Sequence, residues 1–357
     1  TKKDLNNFFF CFKPRNSKSM VSLKCELRSN LLDGLINFMT NSNLSRRSFG
    51  LGLIAHGLTA CDRVENYAIP TKFAEQNVPI TGKILNLNSL PVHGYIEGDG
   101  TQDIVFIHGA FGNLRDWVFA TRALSKFDRR VIYIDRPGFG YSERDESKWD
   151  AERQADQARA YLKKIKGKNP ILVGHSWGAL VAMSWAAKYP DEVKGVISVA
   201  GLNMPFSGVS KLANDTGLIN IAYELYFSDV ASKVDSGSIK KFVGRMFKPQ
   251  DIPEGYLDYI GSDLSRRLST IKANKSDLIA TSKALDKNFA FYNYMEMPIE
   301  IIHGEKDFLV PVKSQAVAFN AVMPNSRLRI LPTVGHMAHH FAAKEISDSI
   351  SYIRNLS

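Results

Sequence analysis

The feature that most constrains the fold of this 357-residue chain is a regular alternation of short apolar runs with helix-length segments after residue 81. Eight short β-rich runs predict strands, and the first two, 84–87 and 92–96, predict an opening hairpin. Continuous apolar runs typical of buried strands follow at 103–109, 130–135, 171–176 and 195–200, and the runs 299–304 and 328–331 complete the set. Helical periodicity fills 149–166, 177–189, 313–322 and 341–355. Continuous apolar strands that alternate with helices indicate a mostly parallel sheet covered on both faces. The sequence therefore predicts an α/β protein with a mostly parallel eight-stranded sheet.

One long segment, 203–297, interrupts this alternation. It is polar and helical in pattern, and it lies between two predicted core strands. We expect it to form a helical lid inserted into a core made of 81–202 and 298–357. In parallel α/β sheets the ligand binds beyond the carboxyl ends of the strands. Catalytic residues should therefore follow the predicted strands directly.

The net charge of +10 is unevenly distributed along the chain. Residues 1–60 contain nine basic and three acidic residues, whereas the rest contains 37 basic and 33 acidic residues. The main part of the chain thus has an ordinary charged surface without the basic stripe that would neutralise a phosphate backbone. The charge distribution argues against a nucleic-acid partner.

The excess positive charge accompanies a pattern typical of an export signal. Arg46 and Arg47 precede a mildly apolar stretch, 49–60, which is too short to span a bilayer as a mature helix. The arginine pair resembles a twin-arginine export motif, and residues 58–61 resemble a bacterial lipobox. That resemblance implies lipidation of Cys61.

These patterns divide the N-terminal region into three predicted parts. Residues 1–38 are interpreted as an over-extended start, 39–60 as the export signal and 61–80 as a tether. The protein is then expected on the outer side of a bacterial membrane, in contact with the membrane only through a lipid. The alternative is a soluble cytoplasmic protein whose N-terminal segment contains an arginine pair by chance.

The strongest chemical motif is Gly174-His175-Ser176-Trp177-Gly178, which follows a predicted buried strand and opens a predicted helix. A serine hydroxyl is a weak nucleophile unless a base removes its proton. A strained turn from strand to helix presents the hydroxyl clear of the backbone, and it requires small residues two positions away on each side. The motif therefore predicts that Ser176 is a nucleophile; otherwise the serine would only cap the helix.

With this motif, residues from about 80 to 357 resemble an α/β-hydrolase with a lid. Asp307 directly follows the predicted strand 299–304, and His336 follows the last predicted strand. These are the positions at which that family has its acid and its base. The resemblance implies that His336 takes the proton of Ser176 while Asp307 orients the imidazole. If Asp307 is not the acid, Asp135 and Glu305 are the alternatives.

The same resemblance implies an oxyanion hole. One donor would be the backbone N–H of Trp177, the residue after the nucleophile. The loop His108-Gly109-Ala110-Phe111-Gly112 resembles the family's oxyanion loop and would supply the second donor from Ala110, with Phe111 as the alternative.

The sequence predicts no metal and no cofactor. His336, His339 and His340 form a histidine cluster, but HExxH, paired cysteines and carboxylates at ligand spacing do not accompany it. Neither GxGxxG nor GxxxxGK[ST] is present to hold a phosphate-bearing cofactor.

Because the nucleophile is a serine, acyl transfer to water is the expected reaction, and the expected partner is a small-molecule acyl substrate. We favour hydrolysis of carboxylic esters. The same residues also serve carbon–carbon bond hydrolases, aminopeptidase-type hydrolases, acyltransferases and cofactor-free haloperoxidases of this fold. A non-catalytic lipoprotein that binds ligands is the alternative from another class. The sequence does not specify the oligomeric state.

Overall fold

The computed structural model describes residues 68–356 except 88, 123, 125–128, 209–210 and 212–235. The predicted leader, the proposed lipidation site Cys61 and the first part of the predicted tether lie outside the described residues. So do 26 of the 95 residues of the predicted lid, 209–210 and 212–235.

Eight strands form one sheet, as the sequence predicts. They are β1 Lys83–Leu87, β2 Leu90–Glu97, β3 Gln102–Ile107, β4 Arg129–Ile134, β5 Ile171–His175, β6 Gly195–Val199, β7 Ile299–Gly304 and β8 Ser326–Leu331. Their order is β1-β2-β4-β3-β5-β6-β7-β8. β2 pairs antiparallel with β1 and β4, and the other neighbours are parallel. The predicted mostly parallel sheet is confirmed.

The described residues also form ten α-helices. They are α1 Thr71–Asn77, α2 Leu114–Ala120, α3 Ala151–Lys164, α4 Trp177–Lys188, α5 Ser236–Phe247, α6 Tyr256–Ile260, α7 Ser262–Ser265, α8 Leu268–Phe289, α9 Ala318–Val322 and α10 Ala343–Asn355. Short 3₁₀ helices span Pro190–Glu192, Tyr292–Tyr294 and Ala338–His340, and a π-helical turn, Lys313–Val317, precedes α9. None of the helices in this part of the chain combines the length and apolar character needed to cross a bilayer.

Two buried apolar clusters cover the two faces of the sheet. α3 and α4 pack on one face, where Leu162 and Leu180 are buried. α2 and α10 pack on the other face through Trp117 and Ile350. Helices therefore cover both faces, which leaves the carboxyl ends of the parallel strands as the edge at which loops can form a site.

Two described helices were not predicted from the sequence. α2 has only seven residues, and its N-cap is Asn113, whose side chain accepts the Arg115 N–H at 2.9 Å. α1 lies inside the segment predicted as a tether. Both helices are too short to show a clear helical period, so their amphipathic pattern carries little signal.

The second half of the predicted tether packs on the domain. Ala74 and Val78 are buried against Leu264, and Ile69 forms an isolated parallel bridge with Arg267. Leu264 and Arg267 belong to the segment between β6 and β7. Residues 68–80 therefore contact the inserted helices rather than forming a free linker.

The described part of the insertion between β6 and β7 contains α5 to α8. Its longest helix, α8, is attached to the core by a buried ion pair. Asp277 lies 2.5 Å from the Arg136 guanidinium and 2.8 Å from that of Arg144. Because a buried carboxylate without a partner is costly, this pair fixes where α8 contacts the core.

Candidate active site

Ser176 lies in the turn between β5 and α4. Its backbone has φ 52° and ψ −118°, a left-handed conformation that is strained for a residue with a Cβ. Such strain costs about 1–3 kcal/mol and persists only where the surroundings enforce it. The Ser176 N–H donates to the Val199 carbonyl at 3.0 Å, which ties the turn to the neighbouring strand. The hydroxyl consequently points out of the sheet at its carboxyl edge.

The two glycines of the motif are required by close backbone contacts. A Cβ on Gly178 would lie 2.3 Å from the Ile107 carbonyl oxygen, and one on Gly174 would lie 2.5 Å from the Ala179 backbone. Real Cβ atoms do not approach backbone atoms this closely. The expectation of small residues on both sides of Ser176 thus has a steric basis in the structure.

The structure brings together the three residues predicted as nucleophile, base and acid. His336 Nε2 lies 3.1 Å from Ser176 Oγ, and His336 Nδ1 lies 2.8 Å from Asp307 Oδ2. All three side chains are buried or nearly so. This order of contacts allows one ring nitrogen to accept the hydroxyl proton while the other donates to a carboxylate.

Asp307 is held as an anion. Burial alone would raise the pKa of this carboxyl group, but the charge of His336 and hydrogen bonds from His303 and His336 outweigh that effect and hold the pKa below its usual range. Asp307 Oδ1 also accepts the backbone N–H groups of Leu309 and Val310, at 2.9 and 2.8 Å. Its orientation toward His336 is therefore fixed.

The two alternative acids have other partners. Asp135 pairs with His93 at 2.6 Å and accepts the Leu114 N–H at 2.7 Å. Glu305 is exposed and pairs with Lys306 at 3.1 Å. Neither carboxylate contacts His336 among the described interactions, so Asp307 is the carboxylate positioned to orient the imidazole.

The predicted oxyanion donors belong to residues close to Ser176, since Trp177 follows it directly and Ala110 lines the same pocket. Within the described part of the chain, the N–H groups of Ala110 and Trp177 have no protein acceptor. The alternative donor, the Phe111 N–H, is already bound to Asn274 Oδ1 at 2.9 Å. This difference favours Ala110 over Phe111, and nothing in the sequence around Asn274 pointed to that contact.

Arg136 braces the loop that carries Ala110. Its side chain donates to the carbonyls of His108 and Gly109, both at 3.0 Å, and its guanidinium stacks 4.7 Å from the ring centre of Trp177. The backbone that immediately precedes Ala110 is thereby fixed.

Ser176 and His336 open into a pocket of about 270 Å³. Most of its wall is apolar and comes from the insertion and from the loops after β7 and β8, including Ile239, Phe242, Val243, Met246, Ile260, Ile271, Leu309 and Met337. Small-molecule sites are typically concave and apolar with a few placed polar groups. The pocket has this character.

A histidine-rich cluster lies beside the pocket and provides the test for a metal. Asp116, His175 and His339 offer ligand atoms within 4.8 Å of one another, and His175 Nδ1 and His339 Nδ1 are buried without a partner in the described structure. However, both oxygens of Asp116 already have protein partners, since His339 contacts Oδ2 while His340 and the Tyr256 hydroxyl contact Oδ1. The carboxylate is therefore used by these donors, and the cluster is not arranged around a cation. The expected absence of a metal remains a prediction.

Comparisons with known proteins agree with this architecture. The uncharacterized protein YbdG of Bacillus subtilis is 33% identical over 141 residues, which cover 37% of this chain and 43% of YbdG, so the chain matches less than half of that relative. A solved putative lipase from Acinetobacter baumannii superposes with a TM-score of 0.64 at 18% identity, over 89% of this chain and 100% of the lipase. An esterase from Exiguobacterium antarcticum superposes with a TM-score of 0.62 at 19% identity, over 77% of this chain and 100% of the esterase. At these identities the two structures show a shared fold.

The alpha/beta hydrolase fold family matches residues 104–343, which is more than half of the chain and includes Ser176, Asp307 and His336. The sheet order, the strained serine turn and this match lead to one conclusion: the chain belongs to the alpha/beta hydrolase fold family and is an enzyme.

Proposed function

We propose that the protein hydrolyses carboxylic esters through an acyl-enzyme on Ser176. The observation that carries this proposal is the chain of contacts from Ser176 through His336 to Asp307 at the floor of an apolar pocket. A serine, an imidazole and a buried carboxylate in this order form an activated nucleophile.

In the first half of the reaction, His336 Nε2 takes the Ser176 proton as Oγ attacks the ester carbonyl. The negative charge that develops on the carbonyl oxygen is stabilised by the N–H groups of Ala110 and Trp177. His336 then gives its proton to the departing alcohol. In the second half, a water molecule loses a proton to His336 and attacks the acyl-enzyme, which releases the acid and restores Ser176.

The pocket favours small, uncharged acyl groups. An apolar cavity of about 150 Å³ accommodates benzene, so the 270 Å³ pocket has room for about twice as many heavy atoms. We therefore expect esters of short to medium chains to be the best substrates. In this proposal the helices that line the pocket act as a lid over the acyl group.

The test is labelling with a fluorophosphonate probe, together with hydrolysis of p-nitrophenyl esters of increasing chain length by the full chain and by Ser176→Ala. We expect labelling and turnover in the wild-type chain and neither in the variant. Products formed with an added alcohol distinguish hydrolysis from acyl transfer. A folded wild-type chain that binds esters without labelling or turnover would contradict the proposal and favour the ligand-binding alternative.

We further propose that the enzyme is a lipoprotein anchored through Cys61 and faces outward from a bacterial membrane. The support is the arginine pair followed by a short apolar stretch and a lipobox-like tetrapeptide. Metabolic labelling with a fatty-acid analogue should modify the wild-type chain and not Cys61→Ser. Unmodified wild-type protein in the soluble fraction would contradict this localisation without affecting the hydrolase proposal.

A further inference from the structure

The loop that carries His336 is held by two different sets of contacts. Its beginning contacts the core, because the Lys306 N–H donates to the Val334 carbonyl at 2.9 Å and the Glu305 N–H donates to the Leu331 carbonyl at 2.9 Å. Its remainder, around His336 and the 3₁₀ helix Ala338–His340, is held by side chains, and two of these side chains belong to the insertion.

Gln250 makes the first contact from the insertion. Its Oε1 accepts the Gly335 N–H at 3.0 Å, and its Nε2 donates to the Thr333 carbonyl at 2.5 Å. One side chain thus fixes the backbone just before His336. The approach is close, since a Cβ on Gly335 would lie 1.9 Å from the Lys248 carbonyl oxygen.

Tyr256 makes the second contact through Asp116. The Tyr256 hydroxyl donates to Asp116 Oδ1 at 2.9 Å. Asp116 in turn binds the two histidines that follow the proposed base, with His340 Nε2 2.8 Å from Oδ1 and His339 Nε2 3.0 Å from Oδ2. All three partners therefore converge on one buried carboxylate.

Asp116 is suited to this role because it stays ionised. Burial would raise its pKa, but the charge of His339 and the hydrogen bonds from His339 and His340 outweigh burial and hold the pKa well below its ordinary value. A carboxylate can accept from several donors at once, so Asp116 can bind the insertion and the histidine loop simultaneously.

His175 continues these contacts to the nucleophile turn. Its ring packs against that of His339, with centroids 3.9 Å apart, and its Nε2 lies 3.1 Å from the His336 carbonyl oxygen. Because His175 directly precedes Ser176, the 3₁₀ helix that contacts Asp116 also contacts the residue beside the nucleophile.

We propose that Gln250 directly, and Tyr256 through Asp116, are positioning residues that hold His336 within hydrogen-bonding distance of Ser176. The triad is then complete only when residues 248–256 of the insertion are packed against the histidine loop. The expected change in kcat rests on the proposed function, whereas the expected change in hydrogen exchange of the loop can be measured independently of it.

The test uses the full chain with Gln250→Met, which keeps the side-chain size and removes both hydrogen bonds, and Tyr256→Phe, which removes only the hydroxyl. The matched controls are Gln76→Met, on an exposed side chain of α1, and Tyr294→Phe, on an exposed side chain elsewhere in the insertion. We measure kcat and KM with a short p-nitrophenyl ester, and hydrogen–deuterium exchange of peptides that cover 333–340.

We expect kcat to fall about tenfold in Gln250→Met, where two hydrogen bonds are lost, and about threefold in Tyr256→Phe, where one is lost. KM should stay within about twofold, because Gln250 is not among the described residues that line the pocket and Tyr256→Phe keeps the ring that does. Exchange over 333–340 should accelerate in both variants and remain unchanged in the two controls.

Unchanged exchange over 333–340 in both variants would overturn the proposal, as would a raised KM with unchanged kcat, since that pattern indicates a role in substrate binding alone. If the wild-type chain shows neither labelling nor turnover, the proposed function fails. The exchange data still decide whether these residues hold the loop.

Discussion

Ser176 Oγ and His336 Nε2 are 3.1 Å apart, yet different contacts hold the two residues in place. The serine turn is held by the sheet itself, since it joins β5 directly to α4, its N–H donates to β6 and Gly178 lies against the backbone of β3. The histidine loop depends in addition on the insertion and on α2. The nucleophile is thus placed by the core alone, whereas the placement of the base also requires elements packed onto the core.

The acid that orients His336 should show the largest effect. Asp307→Asn should lower kcat by about 10⁴-fold, because an amide at this position favours the wrong tautomer of His336. Steady-state kinetics with a short ester measure this change. The control is Glu305→Gln, an exposed neighbour, which should keep wild-type activity. Wild-type kcat in Asp307→Asn would show that another acid orients the base.

Two glycine variants test the comparison directly. In Gly178→Ala the new Cβ meets two core carbonyls, of Ile107 and His108, at 2.3 and 2.5 Å, and neither can move without distorting β3. We expect a loss of about 3 kcal/mol in the free energy of unfolding, measured by urea denaturation.

In Gly335→Ala the collision is with the Lys248 carbonyl of the insertion. If the insertion is the more adjustable partner, stability should fall less than in Gly178→Ala while kcat falls strongly. Equal losses of stability in the two variants would show that the two regions are equally rigid.

Acid should weaken the histidine loop and the loop that follows β3. Burial, followed by the charge of a neighbour, lowers the pKa of His340 to about 4 and that of His108 to about 4. Below pH 6.5 the unfolded chain binds these protons first, so stability is lost as the pH falls from 6.5 toward 4. Each histidine should account for about 2 kcal/mol of lost unfolding free energy at pH 5.

Urea unfolding at pH 7 and pH 5 measures this loss. In His340→Asn the loss of unfolding free energy between pH 7 and pH 5 should be smaller by about 2 kcal/mol, which is the contribution of one histidine. The same loss in the variant and in the wild type would contradict a neutral, buried His340.

The smallest effect is expected in the pocket. Met246→Ala removes an apolar side chain from the wall formed by α5. The preferred acyl chain should become longer, and the ratio of kcat/KM between adjacent chain lengths should change by about tenfold at most. A series of p-nitrophenyl esters measures this ratio, and an unaltered chain-length profile would place the acyl group elsewhere.

The sequence predicts what is encoded by local pattern. The parallel strands could be recognised mainly from continuous apolar runs, which are typical of buried strands, and the opening antiparallel pair from two short β-rich runs. Ser176, Asp307 and His336 could be recognised because each lies at the end of a predicted strand or within five residues after it. The histidine pair at 339 and 340 was also visible as a cluster.

The contacts of that cluster could not be predicted in the same way. Asp116 lies more than 200 residues before His339, on a helix too short to have a clear period, and Tyr256 lies in a segment of weak pattern. No spacing relates these residues, because only the folded sheet and the packed insertion bring them together. The same reason explains why the Asn274 contact with Phe111 was missed.

The contact of residues 69–78 with Leu264 and Arg267 has a practical consequence for defining the working enzyme. A fragment cut to the family match at 104 would lack the opening hairpin and the short N-terminal helix. It would expose the apolar side of the inserted helices that this N-terminal stretch normally covers. The smallest piece that keeps its native surface therefore begins before Ile69, ahead of the first strand of the sheet.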